Sequence, residues 1–250
     1  MSHLLFRRNS SREAGRGAVD RFRTERRNSI REDWALWVLI AALNLGAAVT
    51  VGFTRGTPRA FASFVLGLFV ALAITAWEVG ADPHNLFWLW GAVGERQTAK
   101  LLRNLDNSWE CVHDISRGKG NWDHVLIGPA GVFMLDSKRF AGTSVATNDQ
   151  LHLGRYSYSG SGFRGAAKSL HDTLETQVPT MPWVQAVVVI WGDFPQKYHE
   201  ENYVAYVRSD ELIDWLRDRR GSSLSEAKRK AIAQAVRELK KTSGVLEASR

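Results

Sequence analysis

The chain has 250 residues, 44% hydrophobic and 24% charged, a balance that excludes an intrinsically disordered protein and leaves room for one ordinary domain plus further elements. Its single cysteine, Cys111, excludes an intrachain disulfide. The formal charge of +7 is concentrated at one end: residues 1–33 carry nine arginines against five acids, and once these and Arg55 and Arg59 are set aside, 22 basic and 21 acidic residues remain. The excess charge therefore does not mark the rest of the chain as a polyanion-binding surface.

Residues 1–33 are rich in Arg and Ser and lack apolar periodicity, which predicts a basic, disordered tail on the cytoplasmic side. Residues 34–53 form a run of twenty without a formal charge. As a helix it would reach roughly 30 Å, the thickness of a hydrocarbon core. A second uncharged run covers residues 60–77, after a short gap containing Gly56 and Pro58. Trp34, Trp37 and Trp77 lie near the ends of these runs, where tryptophan anchors a span at the interface. A two-helix transmembrane hairpin is the expectation. It makes the chain a multi-pass protein of the cell membrane with both termini in the cytoplasm, touching lipid through both spans and the Arg-rich tail.

Residues 78–90 read as a linker, and residues 91–250 as one α/β domain. A helix is expected over 91–105, with Thr98, Leu101, Leu102 and Leu105 at helical spacing. Strands are expected over 109–115, 122–128 and 131–138, the last two joined by the turn Gly128-Pro129-Ala130-Gly131. A further ribbon follows at 143–154, then a helix over 165–177. Residues 183–191 are nearly all apolar, as in a strand buried on both faces. A short strand at 203–207, a helix capped by Ser209 and a basic helix opened by Ser223-Leu224-Ser225-Glu226 complete the chain. This order predicts a mixed sheet flanked by helices.

The informative stretch runs from Asn121 to Lys138. If the turn closes a hairpin in which Gly128 faces Gly131, paired numbers sum to 259 and Asp123 lies opposite Asp136. Opposed residues share a face, about 5 Å apart, and Lys138, two residues on, shares it too. Two facing carboxylates repel each other unless a cation lies between them. An all-oxygen pair suits a hard divalent ion such as Mg²⁺, or Mn²⁺. A lysine beside it can orient a water nucleophile or stabilise charge on a phosphoryl group. Glu95, on the stripe of Thr98 and Leu102, is expected to face the sheet. His124 has the opposite parity to Asp123 and is expected to be a packed, hydrogen-bonded histidine on the other face.

These residues carry a resemblance. Gly94-Glu95 opening the first helix, Asn121-Trp122-Asp123-His124 on one strand and Asp136-Ser137-Lys138 on the next resemble the NERD (nuclease-related domain) family, which is similar to the PD-(D/E)xK nuclease superfamily. Gly142, the apolar strand at 183–191 and the strand–helix unit at 203–218 fit as well. The resemblance implies a restriction-endonuclease-like fold, Glu95, Asp123 and Asp136 as metal-site residues, and Lys138 as the catalytic lysine. The function it implies is a membrane-anchored, Mg²⁺-dependent hydrolase of phosphodiester bonds in DNA or RNA. The alternative is a catalytically silent module of the same fold that binds nucleic acid or a protein partner at the membrane.

Overall fold

The computed structural model describes residues 57–81, 83–117, 120–219 and 224–248, with scattered residues between 38 and 54. Two compact units divide the chain, one over Ala18–Leu89 and one containing Trp90–Arg250. Helix α1 (Thr57–Ala81) takes in the whole second apolar run, and among its described side chains Phe61, Leu66 and Phe69 are exposed. Among the described residues no helix is long and apolar enough to cross a membrane. The transmembrane hairpin is therefore not shown. The tail and most of the first run lie outside the described residues. Residues 78–90, expected as a linker, instead close α1 and open helix α2 (Pro83–Leu101), which starts on a proline whose fixed φ and missing N–H suit a first helical position.

The larger unit is built on one mixed sheet. Strands β1 (Glu110–Ser116), β2 (Asn121–Gly128), β3 (Gly131–Thr147), β4 (Gln150–Leu153), β5 (Tyr156–Ser159), β6 (Val184–Asp193), β7 (Tyr198–Glu201) and β8 (Val204–Arg208) are joined in it, with the main order β1-β2-β3-β6-β8-β7. β3, β6 and β8 run parallel, while β1, β2 and β7 run antiparallel to their neighbours. β4 pairs with the far end of β3, and β5 with β4. The helices are α3 (Gly160–Glu175), α4 (Leu212–Asp218) and α5 (Glu226–Ala248).

Period-2 alternation sends side chains to two cores. Val125, Ile127, Val132, Met134, Val188 and Ile190 meet Phe163, Leu170 and Leu174 of α3 and Ile232 and Val236 of α5 on one face. Leu126, Phe133, Leu135, Val187 and Val189 meet Leu102, Leu105, Trp109 and the apolar side of α4 on the other. β6 is buried on both faces, as its apolar run requires.

The hairpin of β2 and β3 has the register set by its two-residue turn, from Gly128↔Gly131 to His124↔Leu135. Gly128 has no room for a side chain: an added Cβ would lie 2.0 Å from the Trp109 ring. β3 continues well beyond Lys138, and the expected ribbon at 143–154 is its far end paired with β4.

Helix α3 begins earlier than the glycines of its first turn suggest. The Ser159 side chain accepts the Ser161 N–H at 3.2 Å and supplies the cap that the expected start at residue 165 lacks. Ser209 does not cap α4; Glu211 holds that position, and the Ser209 N–H bonds Ile190 O instead. At α5 the Ser225 hydroxyl accepts from the Lys228 N–H at 3.3 Å; Ser223 lies outside the described residues.

Candidate active site

Three of the expected residues sit on neighbouring strands at the end of the hairpin away from its turn. The regular β2–β3 ladder stops at His124↔Leu135. One position further, the Asp123 carboxylate turns onto the next strand and accepts the Ser137 N–H at 3.1 Å, which places it beside Asp136. Lys138 forms an ion pair with Asp136, both side chains being about three-quarters buried. The fourth residue, Glu95, comes from α2. Gly94 faces β3, where an added Cβ would lie in ordinary contact with Arg139 and Ser137.

The electrostatics bind the four into one group. Burial and then the charges of Asp123, Asp114 and Asp136 push the Glu95 carboxyl up to about 9, against a smaller opposing effect of Lys138. Burial and then Asp136 push Asp123 up to about 7, with Lys138 and the Ser137 N–H working the other way. For Lys138, burial favours the neutral amine, but the attraction of Asp136 and Asp123 outweighs it and holds the ammonium above the ordinary lysine value. The lysine is a fixed cation among acids that are short of positive charge.

Three more residues belong to this cluster and are not among those expected. Asp114 sits in β1 at φ +53°, a left-handed conformation rare for a non-glycine residue. The β1–β2 ladder pairs His113↔His124 and Ile115↔Trp122 and skips the Asp114 position. The Asn121 amide donates to Asp114 Oδ1 at 2.6 Å. An acid at 114, where period 2 from Val112 calls for an apolar residue that comes only at Ile115, is the one trace of this in the sequence. Tyr158, on β5, sets its ring 5.2 Å from Lys138 Nζ, and the Phe163 ring lies at 5.8 Å, a cation–π enclosure of the ammonium. Nothing in the sequence brings these two to Lys138, because the ribbon that carries Tyr158 folds back only in three dimensions.

The donor set is compatible with a divalent cation. Its ligands would all be oxygens, and burial followed by the neighbouring charges raises the proton affinity of two of its carboxyls, which a cation would relieve. Among the described residues, three metal-ligating atoms all within 4.8 Å of one another occur elsewhere, at His171, Asp172 and Glu175 on α3. That group has the spacing to hold a cation, but it is already engaged. His171 uses one ring nitrogen on Asp172 and the other on Met181 O, each at 3.3 Å, and Asp172 is paired with Lys168 at 2.5 Å. The carboxyls of Glu95, Asp123 and Asp136 are not drawn this closely together, but with Asp114 they are four acids around a single lysine.

Arg117 lies in the described part of the β1–β2 loop, whereas Gly118 and Lys119 lie outside it. His124 is fully buried on the opposite face from the acids, as its parity requires.

No curated protein and no solved structure matches the chain. Residues 90–191, the stretch that holds all four residues of the site, match the family model described as NERD, the nuclease-related domain.

Proposed function

We propose that this protein is a membrane-anchored, metal-dependent nuclease that hydrolyses phosphodiester bonds of DNA or RNA. The observation that carries the reading is the gathering of Glu95, Asp123 and Asp136 around the Lys138 ammonium, with two of the three carboxyls pushed far above their ordinary values. Perturbation of this size by burial plus specific charge partners is characteristic of functional clusters. The family match covers the same residues.

In this reading Glu95, Asp123 and Asp136 hold Mg²⁺ or Mn²⁺. The ion, when bound, polarises a phosphoryl oxygen and lowers the pKa of a coordinated water. The chain's own groups have separate tasks. Asp136 and Asp123 keep Lys138 charged, so the lysine stabilises negative charge on the phosphoryl group rather than accepting a proton. Tyr158 and Phe163 restrict the ammonium to that position. In the net reaction water adds to phosphorus, one P–O ester bond breaks, and the departing alkoxide leaves with a proton as an alcohol. Incubating the full chain with single- and double-stranded DNA and RNA, in Mg²⁺, in Mn²⁺ and in EDTA, tests this. Metal-dependent cleavage of at least one substrate is expected. Binding without cleavage under every metal condition would instead assign the site to a silent nuclease-fold module.

Membrane anchoring rests on the two uncharged runs at 34–53 and 60–77 and on the exposed Phe61, Leu66 and Phe69 of α1, since apolar side chains crowded on a helix surface call for a covering. Both termini are then cytoplasmic, with the Arg-rich tail against anionic lipid. Reporter fusions after residue 250 and inside residues 54–59 should report opposite sides of the membrane. A C-terminal fusion on the outer side would overturn this topology.

A further inference from the structure

Behind Asp123, Asp136 and Lys138, on the other side of their strands, runs a line of buried polar groups that the chemistry above does not use. Trp191 Nε1 donates to Thr98 Oγ1 at 2.8 Å, and the Ser137 hydroxyl donates to the same oxygen at 2.8 Å. Ser137 Oγ lies 3.4 Å from His124 Nε2, and His124 Nδ1 lies 2.7 Å from His113 Nδ1. Thr98, His113, His124 and Ser137 are all at or below 4% exposure.

The proton positions in this line follow from its contacts. Ser137 gives its hydroxyl proton to Thr98, which leaves it a lone pair for an N–H on His124 Nε2. His124 Nδ1 is then the acceptor, and His113 Nδ1–H the donor. Two nitrogens 2.7 Å apart cannot both carry protons, so the two rings are never charged together.

Every residue of the acidic cluster that is expected from sequence is tied to a member of this line. Thr98 lies one helical turn after Glu95. His124 follows Asp123. Ser137 stands between Asp136 and Lys138, and its N–H holds the Asp123 carboxylate. A core of leucines could pack α2 on the sheet, but apolar contacts tolerate a small slip of a helix. Buried polar groups do not, because each displaced donor or acceptor loses its partner in a medium with no water to replace it.

We infer that His113, His124, Ser137, Thr98 and Trp191 form a positioning device that fixes the Glu95-bearing helix against the strands of Asp123, Asp136 and Lys138. This inference rests on the metal-dependent nuclease reading. Groups that orient metal ligands from behind typically change metal affinity or activity by about 10–100-fold when removed.

The experiment is Mn²⁺ binding to the full chain by electron paramagnetic resonance, with cleavage rates alongside. Thr98→Val keeps the shape and removes the shared acceptor. Thr98→Ser keeps the hydroxyl. Trp191→Phe removes one donor and leaves the core filled. Thr98→Val should weaken Mn²⁺ binding by about 10–100-fold and lower kcat with little change in KM for nucleic acid. Thr98→Ser should restore both to near the parent, and Trp191→Phe should fall between them. If Thr98→Val fails to fold, Trp191→Phe supplies the measurement on an intact core. Parental Mn²⁺ affinity in the folded Thr98→Val and Trp191→Phe variants overturns the inference and leaves the nuclease reading standing. Equal impairment of Thr98→Ser and Thr98→Val overturns it as well. A parent chain that binds no Mn²⁺ removes the nuclease reading, and this inference with it.

Discussion

Lys138→Met should reduce cleavage by about 10²–10³-fold, the usual loss when one preorganised donor to a developing anion is removed, while metal-dependent stabilisation persists. The lysine is held charged by Asp136 and Asp123 and walled in by Tyr158 and Phe163, so its contribution is a fixed positive charge and not a proton shuttle. Methionine matches its length and fills the aromatic enclosure without the charge. Asp136→Asn should give the opposite division. It removes one of the facing carboxylates at nearly constant shape, so both cleavage and metal stabilisation should fall. It takes the ion-pair partner from the Lys138 ammonium but relieves Asp123 and Glu95, whose carboxyls Asp136 pushes up. Without metal, the Asp136→Asn variant should therefore melt no lower than the parent. Rates and melting curves of both variants, with and without Mg²⁺, separate the roles. Equal loss of metal stabilisation in both would refute the division of labour.

The second large effect is on stability as a function of pH. Glu95 and Asp123 are acids whose folded carboxyls bind protons more tightly than their ordinary values of 4.5 and 3.8. Such groups favour the folded state where the proton is bound in it, and the full advantage exists below the unfolded values. It is lost as the pH climbs through about 7 for Asp123 and about 9 for Glu95. Without metal, the protein should lose stability steadily from about pH 4 to about pH 9. A divalent ion binds the deprotonated carboxylates, so its addition should release protons and flatten that slope. At a hundredfold excess over its dissociation constant it should add about 2.7 kcal/mol of stability. Melting curves across this range in EDTA and in Mg²⁺ check both parts. A pH-independent melting temperature in EDTA would show that the carboxyls are not coupled in the folded chain. Unchanged melting in saturating Mg²⁺ and Mn²⁺ would remove the metal site.

What the sequence discloses about this site depends on how local the determining physics is. The β2–β3 hairpin is readable because a two-residue turn between alternating strands leaves a single register, and that register carries Asp123, Asp136 and Lys138 to one place. β6 is readable because burial on both faces leaves an unbroken apolar run. The opposite face of His124 follows from parity alone. Asp114 is not readable, since its backbone leaves the strand region at φ +53° and local rules assume that it stays there. β7 is a polar edge strand, Tyr198-His199-Glu200-Glu201, with nothing to bury and so no pattern to detect. Tyr158 reaches Lys138 through the β4–β5 ribbon, a placement that no spacing in the sequence encodes. The two apolar runs give an expectation of spans from composition, and composition does not fix where a helix is placed.

The hairpin has a consequence for how the site comes together in time. Asp123 and Asp136 are 13 residues apart, joined by a tight turn, whereas Glu95 precedes Asp123 by 28 residues. The entropy lost in closing a chain segment grows with its length, and hairpins form in about 1–10 μs. The two aspartates and the lysine are thus neighbours as soon as the turn closes, before α2 has any surface on which to dock. Glu95 joins last. Its carboxyl is also pushed higher than that of Asp123, so its burial favours the neutral acid over the charge. Helix docking and the proton affinity of Glu95 are thereby linked, because the burial that raises the one comes with the other.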